Sequence, residues 1–297
     1  METQKQTILS RREFLVASGL IGCGVQSGRG ERKTESAAPK KKLAKITVAQ
    51  VKVYPVKRDI QGNHKKLMTA LAAIEKERKV DVVVTPEGFL DGYVSTEKQL
   101  KKEDMFQYAI DPKTSRYSQA AAAWAKRNQA WLIYGCIRKT DGGVYNTALI
   151  FNREGKLLGM YDKVHLQNHD LKYIPGKHLN VYDSDFGKFG VMICADRRWP
   201  ETARTLTLKG ARVIFNPTYG FHNEFNVCMM RTRAYENGIY ITFTHPGQSL
   251  ITGPRGNIVA NNEDSKTSYT ITEVDLNRAT ALKNNHIRDR RPDVYAW

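Results

Sequence analysis

Three apolar runs in this chain end in residues capable of covalent chemistry. Asp81-Val-Val-Val-Thr85 passes into Pro86 and Glu87, Leu157–Tyr161 into Asp162 and Lys163, and Gly190-Val-Met-Ile193 into Cys194, Ala195 and Asp196. A carboxylate, an ammonium and a thiol make a working set. The thiolate, not the thiol, attacks a carbonyl, and a nearby cation together with the positive start of the following helix favours it. Glu87 can take the thiol proton and later strip one from water. Lys163 and the Ala195 backbone N–H can face the oxygen that gains charge. Taken singly, each residue has a plainer reading: a helix-start acid, a solvated lysine, a core cysteine. Cys194 therefore reads either as core or as nucleophile until the three are considered together.

The elements that must position them alternate. Ile46–Tyr54 has the β-branched content of a strand, and Leu67, Leu71 and Ile74 lie at helical spacing within His64–Lys79. Asp81–Thr85 is a short apolar strand, Ser118–Arg127 an alanine-rich helix and Ala130–Gly135 a strand. Tyr145–Phe151 and Leu157–Tyr161 flank the hairpin signal Asn152-Arg-Glu-Gly155. Gly190–Ile193 is a strand, Trp199–Lys209 a helix with Pro200 in its first turn, Arg212–Asn216 a strand, and Glu224–Asn237 a helix closed by Gly238. Ile239–Thr244 is a strand, Ser249–Thr252 and Asn257–Ala260 form a second hairpin, and Ser268–Val274 is the last strand. The pattern predicts a layered α/β fold with a mixed sheet or a pair of sheets. In open α/β sheets ligands sit beyond the carboxyl ends of strands, so three such ends can converge on one site.

The blocks TPEGFLDGY around Glu87, YDKVHL around Lys163 and GVMICADRRWPE around Cys194 resemble, in order, the three signature blocks of the nitrilase, or carbon–nitrogen hydrolase, superfamily. The resemblance extends from Ile46 to the end of the chain. It implies a Glu87–Lys163–Cys194 triad, a four-layer αββα sandwich that commonly dimerises, and no metal or organic cofactor. The cysteine block looks like that of the N-carbamoyl-D-amino-acid hydrolase branch, in which paired arginines, here Arg197 and Arg198, hold the substrate carboxylate. A guanidinium fork suits that bidentate task. True nitrilases typically carry Trp-Glu after the cysteine. Ala195-Asp196 here argues for amide or carbamoyl substrates.

One departure stands out. Many family members carry a second glutamate between the lysine and a downstream Pro-Gly, and KVHLQNHDLKYIPG contains none. His169 or Asp170 is expected in its place. His165 and His169 also have the i, i+4 spacing of a metal pair, but the HExxH glutamate is missing, and no metal site is expected.

Residues 1–45 differ from the rest. Ser10-Arg-Arg-Glu-Phe-Leu15 followed by a short apolar run resembles a twin-arginine export signal, and Leu20-Ile-Gly-Cys23 resembles a lipoprotein cleavage box. The reading assigns 1–23 to a signal with Cys23 as lipidation site, 24–45 to a disordered basic linker and 46–297 to the hydrolase domain. A periplasmic or membrane-anchored bacterial protein is expected, touching the membrane only through that anchor. The formal net charge is +17, yet no arginine-rich helix or aromatic–basic interleaving points to nucleic acid. Four cysteines without a CxxC suggest no disulfide framework. The expected activity is cysteine-dependent hydrolysis of a small amide or ureido (N-carbamoyl) compound by a homodimer. The rivals are a catalytically silent binding protein of the same fold, a nitrilase, and acyl transfer to an amine.

Overall fold

This computed structural model describes residues 44–295, so the twin-arginine motif, Cys23 and the linker as far as residue 43 lie outside the described residues. Among those described, twelve strands form two six-stranded sheets. The first contains β1 (Lys45–Val51), β2 (Val82–Val84), β3 (Trp131–Thr140), β4 (Gly143–Phe151), β5 (Leu157–Asp162) and β12 (Tyr269–Asp275), in the order β12-β1-β2-β3-β4-β5. The second contains β6 (Val181–Ser184), β7 (Gly187–Val191), β8 (Val213–Pro217), β9 (Tyr240–His245), β10 (Gln248–Thr252) and β11 (Ile258–Asn262), in the order β11-β10-β9-β8-β7-β6. In each sheet three central strands run parallel, β1-β2-β3 and β7-β8-β9, and antiparallel strands flank them.

Helices α1 (Ile60–Glu77) and α2 (Arg116–Asn128) cover the outer face of the first sheet, and α3 (Pro200–Leu208) and α4 (Glu224–Asn237) that of the second. This is the four-layer αββα sandwich expected. The strands read as unbroken apolar runs because both faces are buried. Val82 and Val84 point into the layer between the sheets, with Ile133, Phe189, Val191 and Phe215. Val83 points the other way, onto Leu67, Leu71, Ile74 and Trp124 of the helices.

The helix limits follow from local chemistry. Asp59 accepts the Gly62 N–H, so α1 starts four residues before the apolar spacing signals it. Asn223 caps α4, and Gly238 ends it in the left-handed region at φ 62°. The strand expected at Ala130–Gly135 continues to Thr140 and turns through Asp141-Gly142 into β4, and β6 is an addition. Both segments, Cys136-Ile-Arg-Lys-Thr140 and Val181-Tyr-Asp-Ser184, pass from apolar to polar residues without a strand's alternation, and their strand character comes from pairing with a neighbour.

Candidate active site

Strand direction brings the three blocks together. Glu87 lies just past β2, and Lys163 just past β5, whose two antiparallel steps from β3 restore the direction of β2. Both therefore emerge at one end of the first sheet. Cys194 follows β7, Tyr219 follows β8 and His245 ends β9, at the corresponding end of the second sheet. Gln50 of β1 ties the two ends together, its amide donating to Phe243 O at 2.8 Å and Thr244 Oγ1 at 2.9 Å.

Glu87 is fully buried and held on both oxygens. Its Oε1 accepts from Lys163 Nζ at 2.8 Å and Asn146 Nδ2 at 2.8 Å, and its Oε2 from the Tyr219 N–H at 3.0 Å. The approach of its loop to β3 requires Gly135, since a Cβ there would lie 2.3 Å from Pro86 O. Lys163 Nζ also donates to Asp170 Oδ2 at 2.5 Å. Asp170, itself fully buried, accepts from Tyr93 Oη at 3.0 Å and Ser95 Oγ at 3.3 Å. His169 does not reach the lysine: it is half exposed, with Nε2 2.8 Å from Tyr93 Oη. Of the two residues expected in place of the missing glutamate, Asp170, on a short helical turn at Asn168–Asp170, is the one bonded to Lys163.

Cys194 sits at φ 45°, a conformation that non-glycine residues rarely adopt and that turns a side chain out at a strand tip. Asp196 holds this turn. Its carboxylate accepts the Ile193 N–H at 2.9 Å, Tyr161 Oη at 2.7 Å and the His165 N–H at 2.8 Å. The same residue therefore ties the cysteine turn to the segment just past Lys163. The Ala195 N–H has no intramolecular acceptor among the described residues and is free for an oxyanion. On the far side, a Cβ built on Gly220 would lie 2.9 Å from Cys194 Sγ.

Electrostatics set the resting proton positions. Burial works against the Lys163 ammonium, but Glu87, Cys194 and Asp170 outweigh it and drive its pKa above the ordinary lysine value. Burial pushes the Cys194 thiol up, and the Glu87 carboxylate pushes it further, as charge and as hydrogen-bond acceptor, against the opposing pull of Lys163 and Arg197. Two carboxylates already claim the Lys163 charge, and the Cys194 thiol holds its proton. His245, buried beside His222 at 4.2 Å between ring centroids, is pushed down to about 3 by burial first and by His222 next, and stays neutral.

The two adjacent arginines separate. Arg197 is buried with Nη1 3.5 Å from Cys194 Sγ. Arg198 is exposed, bonded to Gln167 Oε1 at 2.5 Å and lying over the Phe221 ring at 5.0 Å. Asn146, Tyr219 and Gly220 were not singled out in the sequence, and Asp196 was read only with Ala195 as a mark of substrate class, not as the anchor of the cysteine turn. Tyr219 stood directly after the Asn216-Pro217-Thr218 strand end. Asn146 had no signal beyond lying in a strand.

The described residues hold no cluster of metal-ligating side chains, and His165 instead bonds Asp196 and stacks on Trp199 at 4.1 Å. Residues 45–284 match the family model described as carbon-nitrogen hydrolase. The chain is 30% identical over 287 residues to the omega-amidase NIT3 of Saccharomyces cerevisiae, covering 85% of this chain and 95% of that one. It is 28% identical over 266 residues to a nitrilase of Pyrococcus abyssi, covering 84% and 99%. The crystal structure of Saccharomyces cerevisiae Nit3, a member of branch 10 of the nitrilase superfamily, superposes with a TM-score of 0.73 at 27% identity, over 87% of this chain and all of that one. An amidase from Nesterenkonia sp. shares the fold at a TM-score of 0.69 and 19% identity, over 88% and 98%. These relatives support the superfamily resemblance but do not single out its N-carbamoyl branch. With its fold, its converging blocks and its matches over most of the chain, this protein belongs to the carbon–nitrogen hydrolase family.

Proposed function

We propose that the protein hydrolyses a small amide through a thioester on Cys194, with Glu87 as general base and Lys163 as oxyanion stabiliser. The observation that supports this reading most directly is the environment of Glu87, whose Oε1 is occupied by Lys163 and Asn146 while Oε2 takes the Tyr219 N–H. Oε2 keeps a lone pair for the Cys194 proton. As sulfur attacks the carbonyl carbon, that proton passes to Glu87 and the C–S bond forms. The third Nζ–H of Lys163, which at rest makes only a long 3.5 Å contact to Tyr93 Oη, turns with the Ala195 N–H to the oxygen that gains charge. Collapse breaks the C–N bond, and the leaving nitrogen takes the proton from Glu87. Water then gives a proton to Glu87 and attacks the thioester, and sulfur regains the proton as the C–S bond breaks.

For substrate class, the omega-amidase relatives and the arginines of the cysteine block both favour an amide or ureido compound bearing a distant carboxylate. Arg198, exposed and bonded to Gln167 Oε1, suits that carboxylate. The apolar stripe Phe225, Cys228 and Tyr235 on the exposed side of α4 supports docking of a second copy. Export by the twin-arginine route, with lipidation at Cys23, rests on residues 1–23 alone.

A screen for ammonia release over ω-amides, N-carbamoyl amino acids, simple amides and nitriles tests the reading. Intact-mass detection of an acyl adduct on Cys194 accompanies it. Activity of Cys194→Ala equal to wild type, or no adduct with any turned-over substrate, would overturn it.

A further inference from the structure

The charge around Cys194 does not balance at Lys163. That ammonium lies against Glu87 at 2.8 Å and Asp170 at 2.5 Å, two anions to one cation. Once Glu87 has taken the thiol proton, the thiolate meets a Lys163–Asp170 pair whose charges cancel. Net stabilisation of the sulfur then needs another cation, and Arg197 is in place.

Arg197 is 1% exposed. Its Nε donates to Asn226 Oδ1 at 2.7 Å, its Nη2 to Phe221 O at 2.9 Å, and its Nη1 to Cys194 Sγ at 3.5 Å. Its guanidinium lies 4.5 Å from the Phe221 ring centroid and 5.3 Å from that of Phe243. No carboxylate pairs with it among the described residues, and every group that fixes it is neutral. A buried charge held only by dipoles and ring faces is costly unless an anion meets it. Position 226 sharpens the point. The Asn226 Nδ2 is buried with no partner among the described residues, so an aspartate would fit there atom for atom and neutralise the arginine. The asparagine leaves the charge whole. Gly220 closes the opposite side, its ideal Cβ position 2.9 Å from Sγ and 3.9 Å from Arg197 Nη2, so sulfur and guanidinium are pressed together.

We propose that Arg197 is a catalytic residue that donates a charge-assisted hydrogen bond to the Cys194 sulfur and stabilises the thiolate as Glu87 removes its proton. The proposal rests on the reading of Cys194 as nucleophile. It separates the roles of two adjacent arginines, Arg197 serving the sulfur and Arg198 exposed beside Gln167. The downward pull of Arg197 on the Cys194 thiol agrees with this geometry.

The test is the pH dependence of Cys194 alkylation by iodoacetamide, an uncharged reagent, followed at the Cys194 peptide by mass spectrometry so that Cys136 and Cys228 do not interfere. Arg197→Met and Asn226→Asp should each move the midpoint upward by about one unit or more, the size expected when an opposite charge at this range is removed or neutralised. Both should lower kcat/KM tenfold or more for a neutral amide as well as for a carboxylate-bearing one. Asn226→Asp keeps the shape of the site, so it decides the question if Arg197→Met does not fold. An unmoved alkylation profile, with KM rising only for carboxylate-bearing substrates, would overturn the proposal and make Arg197 a substrate anchor. Retained hydrolysis by Cys194→Ala would instead remove the nucleophile reading itself, whatever the alkylation profile shows.

Discussion

Asp170 Oδ2 lies 2.5 Å from Lys163 Nζ, on a lysine already 2.8 Å from Glu87. In the proposed mechanism the second acid holds the ammonium in place and draws off part of its charge, so that Glu87 remains a usable base. Removing it leaves Lys163 to Glu87 alone, and a base locked in an ion pair accepts a proton poorly. Asp170→Asn is expected to lower kcat on the order of 100-fold with a smaller change in KM. Steady-state kinetics on a neutral amide checks this, and a kcat within threefold of wild type would refute it.

Gly220 tests how closely the sulfur is confined. Its backbone angles suit alanine, so the strain of Gly220→Ala comes only from a Cβ 2.9 Å from Cys194 Sγ. A displaced nucleophile costs on the order of 100-fold in rate, and we expect that loss in kcat/KM with little change in melting temperature. Full activity in the variant would show that the sulfur works from another rotamer.

Asp196 carries the turn rather than the chemistry. Asp196→Ala strips acceptors from the Ile193 N–H, the His165 N–H and the buried Tyr161 hydroxyl. Unmet buried donors cost about 1–3 kcal/mol each, so a total loss of about 3–5 kcal/mol is expected by urea unfolding. A loss below about 1 kcal/mol would mean that the φ 45° turn at Cys194 holds without it.

Asp91 gives a stability signature with pH. Burial pushes its carboxyl up to about 7, against backbone N–H donors and with a smaller push from Glu87, and its Oδ2 has no partner among the described residues. A folded-state pKa above the ordinary 3.8 means that the native state holds the proton more tightly than the unfolded chain. The stability this provides is complete below about 4, falls as pH rises to about 7, and stays lost above. Asp91→Asn lacks the penalty. Its melting temperature should gain on wild type between pH 5 and pH 7.5, and a gap that stays constant or narrows would contradict the assignment.

The chain sequence alone carried the alternation of strands and helices, the three polar strand ends and the order of the blocks around Glu87, Lys163 and Cys194. These are local facts, written in periodicity and in residue type where an apolar run stops. It could not decide between Asp170 and His169, because neighbours in sequence differ here only in which way a short helical turn faces them. It set Arg197 and Arg198 side by side as a pair, whereas the fold buries one against sulfur and leaves the other at the surface. It counted one lysine as the cation favouring the thiolate and could not see two carboxylates on it. Partners from separate strands, such as Asn146, Tyr219 and Gly220, become neighbours only when two sheets stack. Tertiary structure decided these points because charge balance and contact depend on distance through space, which spacing along the chain does not encode.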